Sequence, residues 1–320
     1  MSIRHRQPDP KTALLLLNPQ ARQVNQDSAS KVATQLKALG LEIIEEFPKS
    51  PLDFTTLIKS YQDRVNLVIV GGGDGTLNAA IDGLVTTGLP LGILPMGTAN
   101  DLARTLNLPL SLPEACKVIA QGNRQYIDLG WVNGKHFFNV ASLGLSVNIT
   151  RKLTREAKRR WGIFAYLITA TKAILRASPF VAEIRFGDQC KRVKTFQIAV
   201  GNGRYYGGGM KILHDATIDD QRLDLYSLEI KKWWQFFTVI VAIRTGRHRP
   251  ELGTRTLSGA EFEVLTSKPQ TINTDGELTV STPAHFRVIP KAIAVFAPQP
   301  INSNLYINAE SFDQLNEQEL

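Results

Sequence analysis

The sequence predicts two domains, an α/β domain on an open parallel sheet followed by a β-sandwich domain. Three observations lead there. Apolar strand-like runs alternate with helix-periodic stretches through the first 125 residues. From residue 126 onward, short strand signals recur between turn residues. A length of 320 residues suits about two domains.

Residues 12–18 contain Leu14 to Leu17, a continuous apolar run expected of a strand buried on both faces. A turn follows at Asn18, Pro19, Gln20, Ala21 and Arg22. Val32, Leu36 and Leu39 give residues 28–39 helical spacing, and Gly40 ends that helix. Residues 41–46 read as a second strand and 52–61 as a helix with Asp53 in its first turn. Residues 66–70 and 91–94 are the third and fourth strands, with helices at 77–85, up to residue 106, and at 112–121. The order βαβαβαβα implies a parallel sheet whose ligands lie beyond the carboxyl ends of its strands. The turns at 18–22, 71–76 and 95–101 sit at those ends and are expected to converge on one cleft.

Beyond the boundary near residue 125, strands are expected at 126–132, 136–141, 180–186, 191–200, 223–230, 260–266, 270–273, 285–289 and 293–297, with an Asn133-Gly134 hairpin turn. Helices are expected at 148–176 and 233–244, and a helix or tail at 301–320.

A hydrophobic fraction of 43% and a charged fraction of 21% exclude a disordered chain. The net charge of +8 suits an anionic partner such as a nucleotide, a nucleic acid or an anionic lipid surface. No basic–aromatic ladder supports nucleic acid. Cys116 and Cys190 have no metal-ligand spacing and read as free thiols of a reducing compartment. The first residues lack a signal-peptide core, and no apolar run reaches the ~18–20 residues needed to span a bilayer. The expectation is a cytoplasmic protein, peripheral where it meets a membrane. Oligomeric state is left open, a homodimer being one option.

The chemistry concentrates in Gly71-Gly72-Gly73-Asp74-Gly75-Thr76-Leu77-Asn78. A strand, a glycine turn and a helix N-terminus form a phosphate cradle. Asp74 would repel phosphate unless a cation lies between, which implies Mg²⁺ or a proton-transfer role. The spacing fits neither the dinucleotide fingerprint nor the Walker sequence. One strand later, Pro95 to Asp101 supplies Gly97 for close approach and Thr98 as a cap for the next helix.

GGGDGTLN followed by LPMGTANDLAR resembles the catalytic domain of the diacylglycerol kinase family, in particular its bacterial lipid kinase branch. Val200 to Gly209 (VGNGRYYGGG) and Asn273 to Glu277 (NTDGE) are similar to the branch's C-terminal motifs. The resemblance spans about residues 12–297. It implies a kinase with ATP on the α/β domain, a lipid on the sandwich and the cleft between. ATP and Mg²⁺ are the implied cofactors. Asn18 to Arg22, Gly72 to Asn78 and Thr98 would contact ATP, with backbone N–H groups of Gly73, Gly75 and Thr76 on phosphates. Asp74 would hold Mg²⁺. The base falls in Asp275-Gly276-Glu277, with Glu277 first and Asp275 close behind. Thr217, Asp220 and Arg222 would hold a structural Mg²⁺ through two carbonyls and one carboxylate.

Three departures from the family pattern stand out: Ala79 where glutamate is usual, Ala21-Arg22 in place of Ser-Gly, and Gln221 where glycine is common. A basic amphipathic stretch, Arg151 to Arg160 running into Trp161, reads either as a domain helix with a solvated end or as a membrane-surface helix. The apolar 233–244 helix, opened by Trp233 and Trp234, reads mainly as core. Other readings are a sphingoid-base kinase, an NAD kinase relative and a non-catalytic lipid- or nucleotide-binding protein. The GTAND loop opposes the NAD kinase, and the carboxylates at 74, 275 and 277 oppose the last.

Overall fold

The computed structural model describes residues 11–19, 26–147, 178–230 and 253–298. The expectations for Gln20, Ala21, Arg22, the helices at 148–176 and 233–244, and residues 301–320 lie outside these residues.

The first domain runs β1 (Lys11–Leu17), α1 (Gln26–Ala38), β2 (Leu41–Glu46), α2 (Pro51–Tyr61), β3 (Leu67–Gly72), α3 (Asp74–Thr87), β4 (Leu91–Pro95), α4 (Asp101–Thr105) and α5 (Leu112–Gln121). Its strands pair in parallel in the order β2-β1-β3-β4. The apolar run of β1 is continuous because both faces are covered. Leu14 and Leu16 enter the core with Phe54, Ile58 and Leu77, while Leu15 and Leu17 enter the opposite core with Val32, Leu36 and Ile119. Each such side chain contributes roughly 1.5–3 kcal/mol by leaving water.

The chain continues with β5 (Arg124–Val132), β6 (Lys135–Phe137), β7 (Val140–Gly144), β8 (Phe180–Phe186), β9 (Gln189–Thr195), β10 (Gln197–Gly201), β11 (Tyr205–Tyr206), β12 (Met210–Lys211), β13 (Leu223–Leu228), β14 (Thr254–Gly259), β15 (Glu261–Thr266), β16 (Thr271–Thr274), β17 (Glu277–Ser281) and β18 (Ala284–Phe296). One layer of the sandwich is the antiparallel sheet β14-β13-β10-β7-β16-β17. Its inner face meets the other layer over Leu143, Val200, Leu225, Ile272, Phe262 and Phe286.

The outer layer is continuous with the parallel sheet. β18 pairs antiparallel with β5 and β15, and Val295 pairs in parallel with Leu91 of β4, so ten strands form one sheet through both domains. The expected strands at 285–289 and 293–297 are therefore one strand, interrupted by a register shift where Lys291 has φ +50°. The reverse correction applies at 191–200 and 136–141. Each of these divides between the two sheets, as β9 and β10 and as β6 and β7. An apolar run carries no mark of which layer it serves. β14, β17 and the short β11–β12 hairpin had no strong apolar signal.

Candidate active site

β3 ends at Gly72, and α3 starts at Asp74 with Gly73 as its N-cap. The helix thus begins three residues before the expected position, and Asp74 occupies its first turn, where a carboxylate suits the positive end of the dipole. The neighbouring turns meet this one. Asn18 donates its backbone N–H to Gly71 O (3.2 Å) and its Nδ2 to Thr76 Oγ1 (2.9 Å). Pro19 is exposed beside it. Gly73 and Gly97 pass so closely that a Cβ on Gly97 would lie 2.4 Å from Gly73 Cα, so only glycine permits the crossing. Gly75 is exposed with no atom within 4 Å of a would-be Cβ, which leaves the rim of the cradle open.

Other residues of the motif turn inward. Thr76 N–H closes the first helical turn on Gly73 O (2.9 Å) instead of facing the cradle, and Leu77 is part of the hydrophobic core. Gly72 is packed against Thr76, whose side chain a Cβ would meet at 2.5 Å. Thr98 is exposed at the tip of the second loop and does not cap α4. That position belongs to Asn100, in a left-handed conformation, whose side chain accepts from Gly97 N (2.9 Å) and donates to Gly97 O (3.2 Å). Asn tolerates positive φ, and here that property decides. The start of α4 also fixes Asp74, whose Oδ1 accepts Leu102 N–H (3.0 Å).

The facing wall is the turn between β16 and β17. Asp275 (φ +48°) and Gly276 (φ +99°) form its two central residues. Asp275 N–H donates to Val140 O (3.0 Å). Its carboxylate accepts three backbone N–H groups, from Phe138 (2.6 Å), Asn139 (3.0 Å) and Val140 (3.0 Å). Glu277 begins β17 and is exposed.

Electrostatics link the walls. Burial pushes Asp275 up to about 7 against the pull of its three N–H donors, and the charge of Asp74 pushes in the same direction. Asp101 is raised to about 6, first by burial and then by Asp74, while the N–H groups of Gly208 and Gly209 oppose the rise. Asp74 therefore lies within Coulombic reach of both Asp101 and Asp275. Negative potential gathered at an open glycine cradle suits a cation carrying phosphates. Among the described residues no group of three or more His, Cys, Asp or Glu could hold an ion. Mg²⁺ commonly keeps waters and phosphates as ligands beside one or two carboxylates, so Asp74 alone is a fitting protein donor. Asn78 Oδ1 is buried without a partner among the described residues, an acceptor left over beside the same turn.

The chain matches the diacylglycerol kinase catalytic domain over residues 12–132 and the YegS C-terminal NAD kinase beta sandwich-like domain over 139–297. A relative from Klebsiella pneumoniae named "Probable lipid kinase YegS-like" is 30% identical, over 89% of this chain and 96% of its own. The chain belongs to the diacylglycerol kinase family. A relative named diacylglycerol kinase, from Staphylococcus saprophyticus, is 26% identical over 92% of this chain and 97% of its own. A crystal structure of a diacylglycerol kinase-like protein from Bacillus anthracis superposes with a TM-score of 0.80 at 26% identity, covering 92% of this chain and 99% of that one. The α/β domain and β-sandwich are those of this family, and the enzyme class is lipid kinase.

In this lipid kinase the acidic turn at 217–224 is occupied by the protein's own cation. Asp220 accepts N–H groups from Thr217 (3.1 Å) and Arg222 (3.2 Å), and the Arg222 guanidinium lies 3.3 Å from Asp220, 3.4 Å from Asp224 and 3.6 Å from Asp215. Arg222 Nε has ion-pair distances without hydrogen-bond alignment. Burial raises both Asp220 and Asp224, and Arg222 opposes it. This arrangement does not fit an added Mg²⁺, since a guanidinium sits where a metal would neutralise Asp220. Gln221 is accommodated at φ +59° and donates its N–H to Asp128 (2.6 Å).

Two acids escaped the sequence reading. Asp128, 1% exposed, accepts N–H groups from Gln221 and Lys291 (2.7 Å), and its carbonyl accepts Asn202 Nδ2 (2.9 Å). Asp101, 3% exposed, reaches the second domain. An acid inside an apolar strand signal was the available clue to Asp128. Asp101 carried none beyond its place in the loop.

Proposed function

We propose that this kinase transfers the γ-phosphate of Mg–ATP to the hydroxyl of a diacylglycerol- or phosphatidylglycerol-type lipid in the cleft between its domains. The observation that carries this reading is the open glycine cradle where Gly73 and Gly97 cross beside Asp74, which Leu102 N–H pins. Bound Mg²⁺ would supply charge neutralisation at the phosphates. Asn18 to Arg22, Gly72 to Asn78 and Thr98 form the nucleotide side. There Gly73 and Gly75 bring the backbone close, Thr98 lends its hydroxyl, and Thr76 and Leu77 shape the turn from within. Asp74, pinned by Leu102 N–H, holds the metal on the phosphates.

Hydrogen bonding supports a division of labour in the Asp-Gly-Glu triplet. Asp275 spends both carboxylate oxygens on three N–H groups, so taking a substrate proton would disrupt its own anchorage. Asp275 is the anchor. Glu277, two residues on and exposed, accepts the proton from the lipid hydroxyl as it attacks. Phosphoryl transfer otherwise asks for alignment and water exclusion, which two closing walls provide.

The domain division near residue 125 separates a nucleotide side from an acceptor side in this scheme. No helix among the described residues is long and apolar enough to cross a membrane. A lipid acceptor then calls for peripheral contact with the bilayer. The test is purified protein with labelled ATP, Mg²⁺ and vesicles containing diacylglycerol, phosphatidylglycerol or a sphingoid base. Labelled lipid is the expected product. Labelled NAD in a parallel reaction, with no labelled lipid, would replace this reading with that of an NAD kinase relative.

A further inference from the structure

The β11–β12 hairpin belongs to the second domain but holds the first. Asp101, the first residue of α4, accepts N–H groups from Gly208 (2.8 Å) and Gly209 (2.9 Å). Tyr205 N–H donates to Thr105 Oγ1 (3.4 Å), and a Cβ on Gly203 would meet the Thr105 methyl at 3.3 Å. Three consecutive glycines at φ +57°, +91° and +97° make this grip. Gly208 and Gly209 have open space around them, so glycine is required there for backbone conformation and not for room. That conformation aims two successive N–H groups at one carboxylate.

The other side of the hairpin is rooted in the sandwich. Tyr206 OH meets Tyr226 OH (2.5 Å), and Gln197 Nε2 donates to Tyr226 OH (2.7 Å). Gln197 Oε1 in turn accepts Ser146 N–H (3.1 Å). Tyr206, Tyr226 and Gln197 are all buried on the outer face of the six-stranded sheet, where Tyr206 and Tyr226 pack with Val140 and Ala199. Asp275 donates to that same Val140. Val140 therefore touches both: its side chain packs with the hairpin's Tyr206, and its backbone carbonyl accepts the Asp275 N–H. From the hairpin the path continues through Asp101 to the start of α4, whose Leu102 N–H fixes Asp74.

We propose that the Tyr205–Lys211 hairpin is an interdomain clasp, and that Tyr206 is a positioning residue setting the Asp74 loop at its working distance from the Asp275 turn. Tyr206 touches no reacting atom in this role. It acts through Gly208, Gly209 and Asp101. The inference rests on the kinase reading for its consequence, but the clasp itself is testable without turnover.

Tyr206→Phe removes only the hydroxyl and keeps the ring in the core. Amide hydrogen exchange on the full chain should then show faster exchange at residues 207–209 and at Leu102, with β3 and β4 unchanged. With lipid vesicles and Mg–ATP, kcat for lipid phosphorylation should fall about tenfold while KM for ATP changes less than about twofold. ADP formed per lipid phosphorylated should rise, because a loosened cleft admits water as the competing acceptor. Gly208→Ala should act in the same direction and more strongly. Parent-like exchange at 207–209 and Leu102 in Tyr206→Phe would overturn the clasp whatever the activity. Faster exchange with unchanged kcat and ADP-to-lipid ratio would overturn the positioning role. A change confined to KM for lipid would make Tyr206 a substrate contact instead. A parent that phosphorylates no lipid would count against the kinase reading, while the exchange result would still decide the clasp.

Discussion

The wall that carries Asp74 is assembled from neighbours in the chain, with strand, glycines and helix following one another over residues 67–87. The wall that carries Asp275 is assembled across the chain, from a carboxylate and N–H groups as many as 137 residues away. Both end as an aspartate held by backbone N–H groups. They differ in how the holding is achieved and in what it leaves exposed. Asp74 uses one oxygen on Leu102 and faces an open cradle. Asp275 uses both on three N–H donors and is half-buried. A short local motif can therefore present a carboxylate at an open turn, while a long-range closure consumes one to fix a turn.

The largest expected effect breaks the first wall. Asp74→Ala should lower kcat by about a thousandfold, ~4 kcal/mol of barrier, by removing the proposed metal donor. Unfolding stability should change little, since only Leu102 N–H loses a partner. A rate within about tenfold of the parent would remove Asp74 from the metal role.

Next comes a pair of variants on the second wall. Asp275→Ala leaves three N–H groups unpaired and should cost about 3 kcal/mol of stability, read by urea unfolding. Glu277→Gln, at an exposed residue, should leave stability within about 0.5 kcal/mol and lower kcat by about a hundredfold. If Glu277→Gln keeps parental kcat while Asp275→Asn loses it without unfolding, the two roles are reversed.

These differences explain what could be read in the sequence. The parallel order of β1 to β4, the cradle and the convergence of Asn18 and Gly97 upon it rest on local signals of strand, turn and helix. The sharing of β18 between two domains does not, because a strand's partners are set by tertiary closure and its sequence pattern is the same whichever side it pairs with. The same limit hid Asp101 and Asp128, whose meaning lies in N–H donors from remote loops. Asp275 and Glu277 were visible as a turn, yet the three N–H groups of residues 138–140 that hold Asp275 were not.

A pH experiment sharpens the comparison at Asp101. Its folded-state value near 6 lies above the ordinary 3.8 because burial disfavours the anion, with Asp74 adding to the effect. A raised acid gives stability that is complete below the unfolded value and lost as pH rises through the folded one. The gap from 3.8 to about 6 amounts to roughly 3 kcal/mol. Asp101→Asn cannot ionise. It should be destabilised at pH 4 by an imperfect fit to Gly208 and Gly209, then recover up to ~3 kcal/mol relative to the parent by pH 7. Urea unfolding of the metal-free protein at both pH values checks this. A gap that stays constant would mean that Asp101 ionises normally in the fold.

The smallest effect concerns the acidic turn, at Gln221. Gln221 sits at φ +59°, a conformation that costs a side-chain-bearing residue roughly 1–2 kcal/mol. Gln221→Gly removes that strain but frees the unfolded chain, which offsets about 0.5–1 kcal/mol. The backbone N–H to Asp128 survives in either case. The net change should be a stabilisation below about 1 kcal/mol, or about 2–4 °C at most in Tm. Mg²⁺ alone should leave Tm unchanged in both proteins, because Arg222 keeps its place beside Asp220. A Mg²⁺-dependent rise in Tm that appears in Gln221→Gly and not in the parent would show that the glutamine, and not Arg222, is what keeps the turn free of metal.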